Sequence, residues 1–176
     1  MKALDAVHLA SALAVRENLT EKRHTRMIRK AKISDVQEIG RLVNFYAEKG
    51  EMLPRPLSEI YERVRDFSVY ELDGKVVGTC ALSIYDQDLA EIRSLAVWEK
   101  YEGQGIGTQL TRSCLDEAAS LGIKRVFALT YKPGFFERLG FRIIDKMELP
   151  QKIWRDCLQC AKFPQCDEFA LIREVS

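Results

Sequence analysis

The run Leu95-Ala-Val-Trp-Glu-Lys-Tyr-Glu-Gly-Gln-Gly-Ile-Gly107 constrains the fold more than any other part of the chain. A short apolar stretch of strand formers breaks into a turn with glycine at 103, 105 and 107, and a helical pattern follows from about Thr108 to Leu121. Strand, glycine turn and helix start, in that order, build an anion cradle. Glycine lets the backbone approach a ligand, and the first free N–H groups of the helix point at it with the positive end of the helix dipole. The expected guest is a pyrophosphate, and the alternative is a tight strand-to-helix turn with no ligand. Two familiar phosphate motifs do not fit. The dinucleotide fingerprint needs G-x-G-x-x-G early in a βαβ unit, and the phosphate loop needs a lysine where Gly107 runs directly into Thr108.

The chain of 176 residues is long enough for one domain with its own core. A net charge of +1 gives no argument for a nucleic-acid or membrane partner. No apolar run reaches the roughly 18–20 residues that span a bilayer, and Asp5 and His8 interrupt the apolar N-terminus too early for a signal peptide. Five cysteines at uneven spacing suit a reduced, cytoplasmic protein better than a disulfide framework.

Residues 1–26 read as a helical appendage, with Leu4, Val7, Ser11 and Val15 at helical spacing. The string from Ala3 to Leu13 resembles a helix near the end of PIN-domain nucleases, but one helix cannot make a nuclease, and Asp5 is read as inert. The start is left open between Met1 and Met27, where the domain pattern begins, and 27–176 is read as the working domain. A first strand is expected over 27–31. A helix capped by Ser34 follows, with Val36, Ile39, Leu42, Val43 and Tyr46 on its apolar face. Ser58 is expected to cap a second short helix, and strands 67–72 and 75–84 flank the hairpin turn Asp73-Gly74. Strand 90–97, the glycine turn and a helix ending at Gly122 come next. Strand 125–129, a helix opened by Pro133 and ended by Gly140, and strands 142–149 and 168–173 complete the pattern.

The glycine turn is similar to the acetyl-CoA loop of GCN5-related N-acetyltransferases (GNATs), written Q/R-x-x-G-x-G/A. On this chain the pattern falls on Glu102, Gly105 and Gly107, with Glu102 in place of the usual arginine or glutamine. Ile28–Asp35, Ala90–Val97 and Phe135-Phe-Glu-Arg-Leu-Gly-Phe141 resemble other segments of the same family, in the same order. The resemblance implies an α/β fold with a mixed, mostly antiparallel central sheet and flanking helices. It implies acetyl-CoA as the cofactor: the backbone of Leu95, Ala96 and Val97 would hold the pantetheine arm, and Gly103, Gln104, Gly105, Ile106, Gly107 and Thr108 the diphosphate. Met52–Glu59, Val69–Gly74, Cys80–Leu82, Phe127–Lys132 and Glu148–Pro150 resemble the acetyltransferase domain of N-acetylglutamate synthases. The amino-acid-kinase domain that many such synthases carry is absent from this sequence, which would make it a stand-alone version.

That resemblance implies L-glutamate as the acceptor, on the route to arginine. The alternatives are another small amine, a protein substrate, or a non-catalytic acetyl-CoA-binding module. Glu91 is the candidate base, direct or through water, and a buried setting would raise its pKa toward a useful value. An N–H near Leu95 would stabilise the oxyanion. Many relatives place a tyrosine acid where this chain has Phe136; Tyr131 is the substitute, with water as the alternative. Two acceptor carboxylates call for cationic partners; the resemblance to the synthases implies Arg55 and Lys132, and Arg93, on the strand beside Glu91, is the third candidate. Cys157, Cys160 and Cys166 have a metal-like or redox spacing but lack a fourth ligand nearby. Reduced thiols without metal are expected, with zinc or a labile disulfide left open. A homodimer is also left open.

Overall fold

The computed structural model describes residues 25–149 and 166–175. The appendage up to residue 24, and Cys157 and Cys160, lie outside the described residues. The chain forms β1 (Arg26–Lys30), α1 (Val36–Glu48), α2 (Leu57–Glu62), β2 (Phe67–Leu72), β3 (Lys75–Asp86), β4 (Leu89–Val97), α3 (Ile106–Ser120), β5 (Arg125–Thr130), α4 (Pro133–Glu137), β6 (Arg142–Ile144) and β7 (Phe169–Glu174). Seven strands make one sheet in the order β1-β2-β3-β4-β5-β7-β6. Only the β4–β5 pair is parallel, so the sheet is mixed and mostly antiparallel, as expected.

Strand alternation divides the core between the two faces. Phe67, Val69 and Ala81 pack with Val36, Ile39, Val43 and Ile60 of α1 and α2. Their strand neighbours Tyr70, Cys80 and Leu82 pack with Ile106, Leu110, Cys114 and Leu115 of α3. The helical layers therefore cover one face each.

Several boundaries differ from the sequence expectations, and four of the differences bear on the local chemistry. Ser34 does not cap α1: a 3-10 turn over Ile33–Asp35 precedes it, and the buried Asp35 does the local work. Its carboxylate accepts from the Lys32 N–H at 2.7 Å and from Arg29 at 2.6 and 3.0 Å, so the charged neighbour outcompetes the hydroxyl. Ser58 lies inside α2, whose N-cap is Pro56. The helix after the glycine turn starts at Ile106 and not Thr108. β6 ends at Ile144, where Asp145 accepts from the Met147 N–H and starts a 3-10 turn.

Candidate active site

β4 and β5 are registered only at Leu89↔Arg125, Ala90↔Val126 and Glu91↔Phe127, although both strands continue. Beyond Glu91 they splay. On its other side β4 stays paired to β3, but with a bulge: Thr79 faces Ala96 and Ala81 faces Arg93, leaving Ser94 and Leu95 opposite Cys80. Ser94 adopts φ 51, a left-handed conformation that costs a non-glycine residue on the order of 1 kcal/mol and marks a backbone held by its surroundings. The gap becomes a cleft of about 550 Å³ along which Leu95, Ala96 and Val97 lie. Among the described residues, their main-chain groups have no strand partner on that side.

At one end of the gap a 3-10 turn over Glu99–Tyr101 leads into the glycines. Gly103 and Gly105 have φ 73 and 76, and this is why glycine stands there. Gly105 is the N-cap of α3. The first intrahelical bond is Gln109 N–H to the Gly105 carbonyl at 3.0 Å, so the amides of Ile106, Gly107 and Thr108 remain for a guest. Gly78 sets how near the helix comes. A Cβ there would meet Ile106 Cγ2 and Leu110 Cδ1 at 3.1 Å and Val97 Cγ2 at 3.3 Å, so β3, β4 and the helix start converge at one point. Ile106, Gly107 and Thr108 face the cleft with Gly103 and Gly105. Gln104 is the member of the expected set that does not line it: the residue is exposed, with Nε2 3.5 Å from the Lys100 carbonyl. The acidic departure, Glu102, is engaged by the Tyr46 hydroxyl at 2.6 Å.

The other end of the cleft holds the titratable groups. Glu91 is buried on β4, and its Oε2 accepts from the Tyr85 hydroxyl at 2.8 Å. Arg93 places Nη1 4.0 Å from that oxygen and 3.4 Å from the Tyr85 oxygen. The Arg55 loop is clamped by Asn44, which accepts from the Arg55 N–H at 3.0 Å and donates to its carbonyl at 2.9 Å. The Arg55 guanidinium bonds Glu59 at 2.6 Å. Lys132, at the end of β5, forms an ion pair with Glu51 at 2.8 Å. Tyr131 is half-buried on the same wall. Phe136 is buried edge-on between Phe135 and Phe141, filling with rings the place where a tyrosine hydroxyl was sought.

One cleft thus gathers every expected site residue except Gln104. Sequence reasoning missed Tyr46, Glu51 and Tyr85. The short hairpin between β3 and β4 carried a signal for Tyr85, since folding it back brings Tyr85 near Glu91. Nothing local marked the other two. Cys80 and Cys114 pack against each other, fully buried, with sulfurs 3.4 Å apart. That contact, together with burial, pushes the Cys80 thiol well above its ordinary pKa.

A sheet split between two parallel strands, with a glycine-led helix N-terminus at the mouth of the split, sets an anion cradle beside an open strand edge. The chain belongs to the acetyltransferase (GNAT) family, whose model matches residues 36–141. It is 43% identical over 146 residues to an uncharacterised N-acetyltransferase of Chlorobaculum tepidum, covering 83% of this chain and 94% of that one. It is 43% identical over 122 residues to the amino-acid acetyltransferase of Mycobacterium tuberculosis, covering 68% of this chain and 70% of that protein. The structure of N-acetylglutamate synthase from Neisseria gonorrhoeae, complexed with coenzyme A and N-acetylglutamate, superposes with a TM-score of 0.80 at 28% identity. That match covers 86% of this chain and 35% of the gonococcal one, so this chain spans about a third of that synthase. Among the described residues no helix is long and apolar enough to cross a membrane.

Proposed function

We propose that this N-acetyltransferase transfers the acetyl group of acetyl-CoA to the α-amine of an acidic amino acid, with L-glutamate as the acceptor. The observation that carries the reading is the convergence on one cleft of a free-amide cradle at one end and Glu91, Arg93, Arg55 and Lys132 at the other. The cradle fits a diphosphate: three helix-start amides and two left-handed glycines present N–H groups, and no Cβ built on Gly103 or Gly105 meets anything within 4 Å. The unpaired edge from Leu95 to Val97 suits an extended, amide-bearing arm, which would add to it as a strand does. Acetyl-CoA supplies the activated acyl carbon. Every other requirement falls to the chain.

Glu91 takes the proton of the incoming ammonium, leaving a neutral nitrogen to attack the thioester carbonyl. Tyr85 and Arg93 hold that carboxylate in place. The Leu95 N–H steadies charge on the carbonyl oxygen as the C–N bond forms and the C–S bond breaks. The departing thiolate takes a proton from Tyr131 or from water, and the second proton, shed by the acylated nitrogen as the amide forms, restores that donor. Arg55 and Lys132 attract the acceptor carboxylates, although each already faces an acidic side chain. Those ion pairs favour a second reading, an acceptor with a single carboxylate such as a neutral amino acid.

Thiol release from acetyl-CoA, measured across a panel of amino acids, separates the readings. Glutamate should exceed glutamine and the neutral amino acids at least tenfold in kcat/KM. Equal or better turnover of glutamine would transfer the assignment to the second reading, and no turnover on any amine would reject both.

A further inference from the structure

The least expected group in the cleft is the Tyr46 hydroxyl. Tyr46 belongs to the apolar face of α1, and its ring is buried beside Phe45, with centroids 5.2 Å apart. Its oxygen nevertheless reaches into the gap, 2.5 Å from the Val97 carbonyl and 2.6 Å from Glu102 Oε1. Burial, and then the Glu102 carboxylate beside it, push the phenol well above its ordinary pKa, so it acts as a hydrogen donor and not as a phenolate. A phenol carries one hydrogen. It can serve the Val97 carbonyl or the Glu102 carboxylate at a given moment, but not both.

Those two acceptors are not equivalent. Val97 ends the unpaired edge of β4, where its carbonyl is open to an amide N–H from a bound ligand. Glu102 enters the glycine turn, where a free carboxylate would repel a diphosphate. We infer that Tyr46 is a positioning residue for the cofactor: a two-position donor that covers the Val97 carbonyl in the empty cleft and moves its hydrogen onto Glu102 when the cofactor's amide takes that carbonyl. The acidic residue is then held to α1, away from the amides of 106–108. Tyr46 explains how this loop carries a glutamate and still binds an anion. The inference rests on the acetyl-CoA reading of the cleft and is independent of which amine accepts the acetyl group.

The test is a double-mutant cycle on the full chain, with CoA affinity read by calorimetry for wild type, Tyr46→Phe, Glu102→Gln and the double variant. Removing a hydrogen bond to a charged group is expected to weaken CoA binding about five- to tenfold in Tyr46→Phe. Glu102→Gln should bind CoA at least as well as wild type. On that background Tyr46→Phe should weaken binding less than about twofold, since no carboxylate remains to restrain. In kinetics the Tyr46→Phe defect should fall on KM for acetyl-CoA, not on kcat. The coupling should be absent from Tm, which separates positioning from mere packing. An equal penalty on both backgrounds, or none on either while wild type binds CoA, would overturn the inference. Wild type that takes up no CoA would overturn the cofactor reading and the inference together.

Discussion

The chemistry depends on a few side chains whose roles follow from their partners. Glu91 is legible as a candidate base because it lies on the strand that leads into the glycine turn, and folding buries it against Tyr85 and Arg93. Glu91→Gln keeps the shape and removes the base. It should lower kcat roughly 10²–10⁴-fold, while KM for acetyl-CoA moves little, as read in steady-state kinetics. Wild-type kcat in that variant would remove Glu91 from the mechanism. Tyr46 and Glu51 were illegible for a different reason. Each does its work across the cleft, with partners 56 and 81 residues away (Glu102 and Lys132), and no local pattern encodes such a meeting. Tyr46 reads as one more apolar-face residue because its ring packs as one, while its oxygen reaches into the cleft.

Among the elements, the strand–glycine–helix unit was readable because its constraint is local. Positive φ at 103 and 105 calls for glycine, and a helix must follow. The helix start was placed two residues late because glycine at 107 looked like turn, whereas it sits in the first helical turn and leaves its amide free. The bulge at Ser94 left no mark in the sequence: serine does not announce φ 51, and the tertiary pairing on the β3 side imposes it. Gly105→Asp adds both a carboxylate and left-handed strain at the cradle, while Gly105→Asn adds the strain with little charge. The aspartate variant should raise KM for acetyl-CoA tenfold or more and the asparagine variant distinctly less, by about the worth of one close charge. Equal KM values in both variants would mean that no anion sits at the glycine turn.

For the molecule as a whole, the strands and helices were legible from alternating and helical periodicities, and their assembly into one mixed sheet through the family resemblance alone. The device that ties edge to layer was not. Arg29 on β1 bonds Asp35 ahead of α1 and Glu71 on β2, pinning the sheet edge to the helix that carries Tyr46 and Asn44. The Arg29 guanidinium holds the Asp35 carboxyl below its ordinary value against the opposing effect of burial. A carboxyl that titrates lower in the folded state stabilises fully above its unfolded pKa, about 4, and loses that contribution as pH falls through the folded value. Asp35→Asn should therefore cost about 1–3 kcal/mol at pH 7, measured by urea unfolding. The deficit relative to wild type should shrink below pH 4. A deficit independent of pH would assign Asp35 a packing role only.

In the proposed complex, main-chain amides at the start of α3 hold the diphosphate while Glu91 faces the acceptor along the same cleft. A crystal structure with CoA and N-acetylglutamate bound together tests it most directly. Diphosphate oxygens should lie within hydrogen-bond distance of the amides of residues 106–108, and the acetylated nitrogen within reach of Glu91, directly or through one water. A diphosphate held elsewhere, or a product nitrogen on the far side of the sheet from Glu91, would contradict it.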